Sequence, residues 1–493
     1  MLIFIAVYML FLLLSLSFSN VRILKLIIFI CFFQNLILVA LSRYVSSAEF
    51  NILALSKDVY VMLFLAKLIL WNKKLPSDVI FCIFAMGLLA GMMFAFGSGE
   101  LKGRLSCFRQ LVLPFMFYAV GRLCNLSAGQ LSKLIRFFIN ITIVAIVFGF
   151  IEYAFGERLW VPLGLTEYAQ HKDVTEHLLS NNLLRSFYTY LTPTIRLRRM
   201  ASVLVDPVIL SQLIAFAVIA CLFCKDLYKT KVEKAFSAFI LILGLVLSNG
   251  KGGIVIALLS FCILLRQSTN SKILSRMLLL SIVCIIIYYF TYQMREDLSG
   301  SAHYNGLVYG FQSLITKPLG TGIGSEGNLA YLHSGLGYAQ SGAGESYIGS
   351  MIAQTGIVGL IINCIVFHYC LTKKNFNKDI DINECNVFRI LTMTMVLTSF
   401  VNYTSISFTS CYIYFILSGL TKGEHSSLRK ERTYIPMPMP MLSPTPVHDD
   451  TFPALPSPRI PRLPRSIQSL QQGSSEGASE GSSEEHGGTA KQS

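Results

Sequence analysis

Long apolar runs alternate with short polar stretches from Met1 to Leu420. Runs of about 17–25 residues recur, which is the length that an α-helix needs to cross the hydrocarbon core of a bilayer. The pattern therefore predicts an all-α polytopic membrane protein with about 12 to 14 transmembrane helices. The predicted spans are residues 1–18, 23–41, 52–71, 78–96, 106–123, 134–155, 208–224, 235–248, 253–266, 277–293, 348–371, 387–402 and 404–420.

Two connections are much longer than the others, at residues 156–207 and 294–347. Short loops at 225–234, 266–276 and 372–389 are rich in Lys and Arg, whereas the connections that alternate with them hold few basic residues. Because basic loops stay on the cytoplasmic side of a membrane, both long connections are predicted to be external loops.

The first half of the chain gives a less clear orientation. Residues 97–109 and 122–136 are both basic although they flank a single span, so charge leaves the N-terminal side open. Residues 1–18 have no basic start and no small-residue cleavage site, and they are predicted to form the first span rather than a cleavable signal peptide.

The composition excludes a soluble globular protein, because 53% of the 493 residues are hydrophobic and only 14% are charged, against about 25% in soluble domains. The formal net charge of +14 could suggest a nucleic-acid partner. However, residues 422–493 carry acidic and basic residues in equal number, so the whole excess lies in residues 1–421. There it lies mainly in short loops, where it orients helices, and no binding of nucleic acid is predicted.

Residues 422–493 differ in composition from the rest of the chain. Ten of the 16 prolines lie between Pro436 and Pro464, and a stretch rich in Gly, Ser and Glu follows them. Such a segment cannot bury enough apolar surface to offset the entropy lost on ordering it. The predicted organisation is therefore a membrane domain over residues 1–421 and a disordered tail over residues 422–493.

The first candidate site is the basic cluster at the end of the first long loop, which contains Arg196, Arg198 and Arg199. Three arginines on the external side oppose the positive-inside trend, so helix orientation does not explain them. Their planar guanidinium groups suit phosphate oxygens. All three are therefore predicted to bind a lipid-linked diphosphate. The alternative is that they are flanking residues that reach the lipid head groups.

The second candidate lies in the second long loop, where Gly320, Gly322 and Gly324 alternate after a proline. Glycines permit turns and close backbone approach. The loop is therefore predicted to contact a substrate, and the alternative is a simple connector. His303 and His333 lie in the same loop, as a candidate base and a candidate substrate-binding residue, or else as ordinary solvated histidines.

The third candidate is Glu345, which lies just before the apolar run that begins at residue 348. A carboxylate at the lip of a span can be partly desolvated, which suits it to accept a proton from a sugar hydroxyl. Alternatively, Glu345 is an acid in the first turn of the helix, stabilised by the helix dipole. No motif has metal-ligand spacing, and Cys221 and Cys224 lie in an apolar span as packing residues, so neither a metal nor a cofactor is predicted.

Taken in order, these segments resemble the O-antigen polymerase and ligase superfamily of polytopic glycosyltransferases, over about residues 20–420. The pieces that carry the resemblance are Arg109-Gln110 through Pro114, Arg199-x-x-Ser202 with Asp206-Pro207, His303 with Pro318-Leu319-Gly320-x-Gly322-x-Gly324, and Glu345-Ser346 ahead of Gln354, Gly356 and Gly359. Ligases of this superfamily typically have a His-Asn pair where this chain has Glu345-Ser346, so the closer resemblance is to the Wzy-type polymerases.

The resemblance implies a glycosyltransferase-C-like fold in the bacterial cytoplasmic (inner) membrane, with the long loops in the periplasm. The implied enzyme joins oligosaccharide repeat units, carried on undecaprenyl diphosphate, en bloc into O-antigen or a related surface polysaccharide. In that enzyme the arginines at 196, 198 and 199 would hold the leaving diphosphate. Glu345 would be the base, with His303 as the alternative. Membrane lipid, a chain-length regulator and a flippase are further implied partners.

Two other functions are kept as alternatives. One is an O-antigen ligase, which would transfer polysaccharide from the same donor to lipid A-core. The other is a flippase or transporter of lipid-linked oligosaccharide. Transporters often consist of two repeated halves with polar sites near mid-membrane. The sequence shows no such repetition, and its candidate polar residues lie at the outer rim, which favours the polymerase.

Overall fold

The structure is a computed structural model and describes residues 2–179, 181–190, 196–225, 227–268, 280, 299–331, 344–373, 376–377 and 379–423. All of them lie in the first of the two units into which the chain divides, Met1–Tyr434. The described chain is mostly helical. Its α-helices are α1 Leu2–Ser15, α2 Asn20–Leu41, α3 Ser47–Trp71, α4 Ser77–Phe96, α5 Leu101–Leu123, α6 Ala128–Phe155, α7 Glu157–Leu163, α8 Leu165–His171, α9 Pro207–Phe223, α10 Lys231–Ser248, α11 Lys251–Ser268, α12 Ser299–Thr316, α13 Asn328–Tyr331, α14 Tyr347–Leu371, α15 Ile382–Thr398 and α16 Phe408–Leu420.

The helices lie where the apolar runs predict them. Each predicted span between residues 1 and 266, and each after 347, coincides with a helix, whereas the predicted span 277–293 lies outside the described residues. Within the described ranges, four helices are long and apolar enough to cross a membrane, judged by length and composition: α2, α4, α6 and α14. The architecture is that of an all-α membrane protein.

One end of the helix assembly carries both long loops, and we call it the long-loop end. There, the chain at the start of α5 contacts each of them. The Ser98 backbone N–H donates to the Ile323 carbonyl (3.0 Å), and Lys102 pairs with Asp173 (3.4 Å). The two long loops therefore lie side by side although residues 208–293 separate them in the chain.

The opposite end carries the short basic loops, which the charge pattern predicts to lie on one side of the membrane. The loops 225–234 and 372–389 approach each other there, since Lys225 pairs with Asp381 at 3.5 Å. Helix α9 runs between the two ends, because it begins directly after the first long loop and ends just before the loop 225–234. The basic short loops and the long loops are thus at opposite ends of the helices.

The contacts of α1 show at which end of the helix assembly it begins, a point that the distribution of basic residues leaves open. Arg43, between α2 and α3, pairs with Glu167 of α8 (2.9 Å), so α3 begins at the long-loop end. The Lys67 ammonium, near the other end of α3, donates to the Leu16 carbonyl just after α1 (2.7 Å). Helix α1 therefore begins at the long-loop end and runs parallel to α3.

Both long loops contain regular structure that their hydropathy does not predict. The first holds α7, α8 and an antiparallel hairpin of β1 Tyr188–Tyr190 and β2 Arg196–Arg198, with Tyr188 opposite Arg198. The second holds α12, of 18 residues, and the short α13. Helix α12 is rich in Gly, Ser and other polar residues, so its sequence does not stand out as an apolar run.

The membrane domain extends beyond the predicted boundary at residue 421. Lys422 is buried, its ammonium donates to the Thr372 carbonyl, and it lies 5.1 Å from the centre of the Phe376 ring. Arg122 donates to the carbonyl of Gly423 (2.9 Å). Residues 422 and 423 therefore belong to the packed domain, and the rest of the predicted tail, 424–493, lies outside the described residues.

Helices α5 and α16 approach closely enough for their backbones to touch. A Cβ atom on Gly121 would lie 2.0 Å from the Ile416 carbonyl oxygen, and one on Gly419 would lie 2.4 Å from the Tyr118 carbonyl oxygen. In a membrane, helix association depends on such close packing, because lipid tails are as apolar as the side chains that they contact. These two glycines therefore determine the distance between α5 and α16.

We expect Gly121→Ala to destabilise the protein by about 1–3 kcal/mol, because a methyl group at this crossing must push two backbones apart. The measurement is thermal unfolding of the purified protein in detergent. Gly87→Ala in α4 is the matched control, since no atom lies within 4 Å of a Cβ at that position. Equal unfolding temperatures for the two variants would contradict the assigned crossing.

Candidate functional site

A buried carboxylate fixes the arginine-rich end of the first long loop. Glu152, near the end of α6, is 0% exposed. It accepts hydrogen bonds from Trp160 Nε1 (3.0 Å) and from the backbone N–H groups of Ala201 (3.0 Å) and Ser202 (3.2 Å). Arg198 adds an ion pair at 2.9 Å. A carboxylate is tolerated inside a protein only with partners of this kind, so Arg198 has a structural task.

The three predicted arginines lie in different environments. Arg196 is exposed on β2. Arg198 is held by the carboxylate beneath the hairpin. Arg199 donates to the Ser186 carbonyl and interacts electrostatically with Asp206, just before α9. Of the three, Arg199 is the one that the structure brings to the other charged groups described below.

Asp206 is the N-cap of α9. Its carboxylate accepts hydrogen bonds from the backbone N–H groups of Val208 (2.8 Å) and Ile209 (3.1 Å), as expected for an Asp-Pro helix start. Burial raises the pKa of Asp206, while these hydrogen bonds and the positive charges of Arg199 and Lys172 act in the opposite direction. The cap is therefore also the anionic centre of a group of cations.

Further cations come to this place from other segments. Lys57 of α3 interacts electrostatically with Arg109 of α5 and with Lys172, which follows α8. Lys251, at the start of α11, interacts with Arg199. We call Lys57, Arg109, Lys172, Arg199 and Lys251 the cation cluster. Among the described residues, the acidic groups that interact with these cations include Asp58 and Asp206.

The cation cluster is accessible to water although protein encloses it. Lys172 is exposed, and Lys57, Arg199 and Asp206 are half-exposed. The protein around its ammonium group nevertheless lowers the pKa of Lys172 to about 8 by disfavouring the charged form, while the negative charge of Asp206 acts in the opposite direction. An anionic ligand in solution can therefore reach these cations.

Asp58 is the most deeply buried member of this region, with 7% exposure. The nearest cation is Arg109, whose Nη1 lies 3.7 Å from its carboxylate, and within the described part of the chain neither carboxylate oxygen has a hydrogen-bond partner. Sequence reasoning missed Lys57, Asp58 and Lys172 and read Arg109 only as the start of a span. The sequence did hold a signal for Lys57, Asp58 and Arg109, because ionisable residues inside apolar spans are functional candidates by default.

The structure brings together two of the predicted catalytic residues. His303 Nδ1 lies 3.0 Å from the Glu345 carbonyl oxygen and 3.8 Å from a Glu345 carboxylate oxygen. Both side chains remain about a quarter exposed, at 23% and 27%. A ligand at the long-loop end can therefore reach this pair. His333 lies outside the described residues.

Close helix packing explains why His303 reaches Glu345. Helix α12, which carries His303, lies against α14 through glycines. A Cβ on Gly310 would lie 2.5 Å from the Gly349 Cα, and one on Gly349 would lie 2.2 Å from the Gly306 carbonyl oxygen. Such contacts let two helix backbones approach each other, and the His303 ring then spans the remaining gap.

Glu345 lies before α14 and not in its first turn. The N-cap of that helix is Ser346, whose hydroxyl accepts from the Gly349 N–H (3.0 Å) and donates to the Phe400 carbonyl (2.6 Å). The helix begins at Tyr347 and has no acidic residue in its first turn. The alternative interpretation of Glu345, as a first-turn acid, is therefore wrong.

Helix α5 connects the histidine pair to the cation cluster. The Tyr403 backbone N–H donates to the Glu345 carbonyl (3.1 Å). The Gln110 side chain in turn donates to the carbonyls of Tyr403 (3.3 Å) and Ile406 (3.0 Å). Gln110 follows Arg109 directly, so this series of hydrogen bonds links the histidine pair to the helix that carries Arg109.

The glycine-rich loop packs into a break in α14. Gly356 has a φ of 60° and interrupts that helix. The loop approaches there: the Gly322 N–H donates to the Gln354 carbonyl (3.1 Å) and the Gly324 N–H to the Gln354 side chain (2.9 Å). A Cβ on Gly320 would lie 2.4 Å from the same carbonyl oxygen. The glycine spacing thus serves backbone packing, and contact of these residues with a substrate stays a prediction.

Cys221 and Cys224, at the end of α9, lie away from this site. Both are free and buried, in accord with their interpretation as packing residues. Across the part of the chain that the structure describes, no group of three or more His, Cys, Asp or Glu side chains is placed to hold a metal ion.

Comparison with known proteins gives no further guide to this site. No protein-family model matches the chain. No curated protein sequence matches it either. The function is therefore inferred from the residues and geometry given above.

We expect Glu152→Gln to destabilise the protein by about 3–5 kcal/mol, because it leaves the guanidinium of Arg198 without its buried counter-charge. The measurement is unfolding in detergent, followed together with proteolysis of the 156–207 loop. Glu167→Gln is the control, since its ion pair with Arg43 is about a third exposed and should contribute less than about 1 kcal/mol. Equal losses in both variants would refute the anchoring role.

Proposed function

We propose that the protein is a polysaccharide polymerase of the O-antigen polymerase and ligase superfamily. It would join oligosaccharide repeat units carried on undecaprenyl diphosphate by en bloc glycosyl transfer. The observation that carries this proposal is that hydrogen bonds through Tyr403 and Gln110 link the His303–Glu345 pair to the helix that carries Arg109 of the cation cluster. The cation cluster can hold a diphosphate and the pair can take a proton, and glycosyl transfer from a lipid diphosphate uses both.

The proposed orientation puts this site in the periplasm of a bacterial cell, at the outer face of the cytoplasmic membrane. The loops 225–234 and 372–389 lie at the opposite end and are basic, and the positive-inside rule supports a cytoplasmic position for that end. The proposal includes about 12 to 14 crossings and a glycosyltransferase-C-like arrangement of the helices.

In the proposed complex, Arg199, Lys172 and Arg109 hold the diphosphate of the donor. Fixed cations in an enclosed recess stabilise the charge that develops on the leaving diphosphate more strongly than water does. Arg198 contributes indirectly, by securing the loop to Glu152. This differs from the expectation that all three arginines of the segment bind the substrate.

In the same complex, His303 is the preferred base. A carbonyl oxygen can only accept, so the contact with the Glu345 carbonyl requires a proton on Nδ1. In a neutral ring this leaves Nε2 as the acceptor. The Glu345 carboxylate, 3.8 Å from Nδ1, then stabilises the imidazolium that forms. Glu345 thereby orients and stabilises the base, whereas the sequence alone favours it as the base itself.

The chemical step follows from these positions. A hydroxyl of the acceptor repeat unit attacks the anomeric carbon of the donor chain, and its proton passes to His303 Nε2. The bond between the anomeric carbon and the phosphate oxygen breaks, and undecaprenyl diphosphate leaves with the electron pair. The lengthened chain stays on the lipid of the acceptor unit. Positioning and electrostatic stabilisation would supply most of the rate enhancement.

The test of the proposal is the banding of surface polysaccharide with and without the gene. Loss of a polymerase should leave lipid A-core capped with a single repeat, whereas uncapped core would indicate a ligase. A purified protein that moved lipid-linked sugar across vesicles without lengthening it would indicate a transporter. Either of the last two outcomes would overturn the proposal.

Substitutions in the site should abolish long chains while expression stays normal. We expect His303→Ala to lower the rate by about 10²–10⁴-fold, the usual contribution of a general base, and Arg199→Ala and Glu345→Gln to remove the long-chain ladder. Arg199→Lys should also impair it, because the charge remains but the planar fork is lost. Lys102→Ala is the control, a cation of the same end that pairs with Asp173 at the surface. Full ladders from the site variants would contradict the assigned roles.

Binding of the donor diphosphate should weaken as the pH rises through about 8. The pKa of Lys172 is lowered to about 8. Its side chain therefore carries a positive charge below that pH and is neutral above it. Loss of one charged contact should reduce affinity by about tenfold, measured with undecaprenyl diphosphate and the detergent-solubilised protein. Lys172→Arg should weaken this dependence, because arginine stays charged. A pH-independent affinity in the unsubstituted protein would contradict the role of Lys172.

A further inference from the structure

Asn402 begins the turn between α15 and α16, at the long-loop end. It is the N-cap of a short 3₁₀ helix, Tyr403–Ile406. Its Oδ1 accepts hydrogen bonds from the backbone N–H of Thr404 (3.1 Å) and from the Thr404 hydroxyl (2.9 Å). A backbone N–H can only donate, which identifies this atom as the amide oxygen, and the two bonds use both of its lone pairs. The side chain is therefore held in one orientation and can only donate further hydrogen bonds.

One side of Asn402 contacts a segment of the cation cluster. A Cβ atom on Gly252 would lie 2.8 Å from the Asn402 Nδ2. Gly252 follows Lys251 at the start of α11, and Lys251 interacts electrostatically with Arg199. The amide group of Asn402 therefore lies against the backbone that carries one cation of the cluster.

The other side of Asn402 leads to the histidine pair. Tyr403, the next residue, donates its backbone N–H to the Glu345 carbonyl (3.1 Å). The same carbonyl oxygen lies 3.0 Å from His303 Nδ1. Asn402 thus connects the two groups to which the proposed function assigns the leaving diphosphate and the attacking hydroxyl.

The Nδ2 group of Asn402 is available to a ligand. The residue is half-exposed, and among the described residues no group accepts a hydrogen bond from this atom. A hydrogen bond to an ionised acceptor is roughly twice as strong as one between neutral groups. The positive charges of Lys251 and Arg199 attract anionic oxygens to this part of the protein, so the acceptor that suits Nδ2 best is an anionic oxygen.

We propose that Asn402 binds the donor diphosphate, by donating from Nδ2 to a phosphate oxygen between the cation cluster and the His303–Glu345 pair. This inference rests on the proposed function and adds a neutral contact to the cations that hold the same group. It also gives a reason for glycine at position 252, since a side chain there would displace the amide. The competing explanation is that Asn402 acts only as a helix cap.

The experiment measures the binding of inorganic pyrophosphate to the purified full-length protein in detergent, by calorimetry. Asn402→Ala should lower the affinity about 10- to 100-fold, the usual effect of losing a hydrogen bond to a charged group. Asn402→Asp should lower it further, because it removes the donor and adds a negative charge beside the phosphate. A cap alone predicts the opposite order, since Asp caps a helix as well as Asn does. Asn72→Asp is the control, with the same substitution just after α3, at the opposite end.

Gly252→Ala tests the same contact while Asn402 stays in place. The added methyl group should displace the amide and reduce the affinity for pyrophosphate several-fold. Alanine is a better helix former than glycine, so weaker binding would not come from a weaker α11. Gly129→Ala in α6 is the control, because no atom lies within 4 Å of a Cβ at that position.

Three results would overturn the proposal. They are no binding of pyrophosphate by the unsubstituted protein, an affinity of Asn402→Asp equal to or above that of Asn402→Ala, and an unchanged affinity of Gly252→Ala. Thermal unfolding in detergent shows whether the variants fold, and Gly252→Ala decides the matter if the Asn402 variants do not.

The binding measurement needs no sugar and no turnover, so it separates this inference from the proposed function. Binding of pyrophosphate that depends on Asn402, in a protein that never lengthens lipid-linked sugar, would support the contact and refute the polymerase. Polymerisation by a protein whose Asn402 variants bind pyrophosphate normally would do the reverse.

Discussion

Four donors from three segments meet at the buried carboxylate of Glu152: the Trp160 indole of α7, Arg198 of β2, and two backbone N–H groups that precede α9. Removing any of them would leave a buried charge incompletely paired, which costs several kcal/mol. The carboxylate therefore holds the first long loop against α6. The positions of Arg199 and Asp206, and with them the cation cluster, depend on this attachment.

The charges of the long-loop end have two different tasks. Arg198 and Glu152 neutralise each other inside the protein and fix the backbone. Lys57, Lys172 and Arg199 remain accessible to water, and their mutual repulsion is only partly offset by the acidic neighbours. An anionic ligand would relieve that repulsion. The structural pair thus provides a rigid support on which an excess of positive charge can be held in place.

The second long loop is positioned by backbone contact rather than by charge. The break at Gly356 frees the hydrogen-bonding groups of α14, and the glycine-rich loop satisfies them, with the Ile357 N–H donating to the Pro318 carbonyl (2.8 Å). Glycines on α12 and α14 bring His303 to Glu345. Close packing of this kind is the main means by which helices are held together in a membrane, and here it also assembles the candidate base.

The sequence by itself determined the helices, because apolar runs and helix caps act locally: the spans, the start of α9 at Asp206 and the break near Asn402 can all be read from neighbouring residues. It also identified His303, Glu345 and Arg199, but not their partners. Only the tertiary structure decided that Arg198 serves Glu152, that α1 begins at the long-loop end, and that Lys57 and Lys172 join one cluster. Those facts depend on contacts between residues far apart in the chain, which no local pattern of apolar and polar positions encodes.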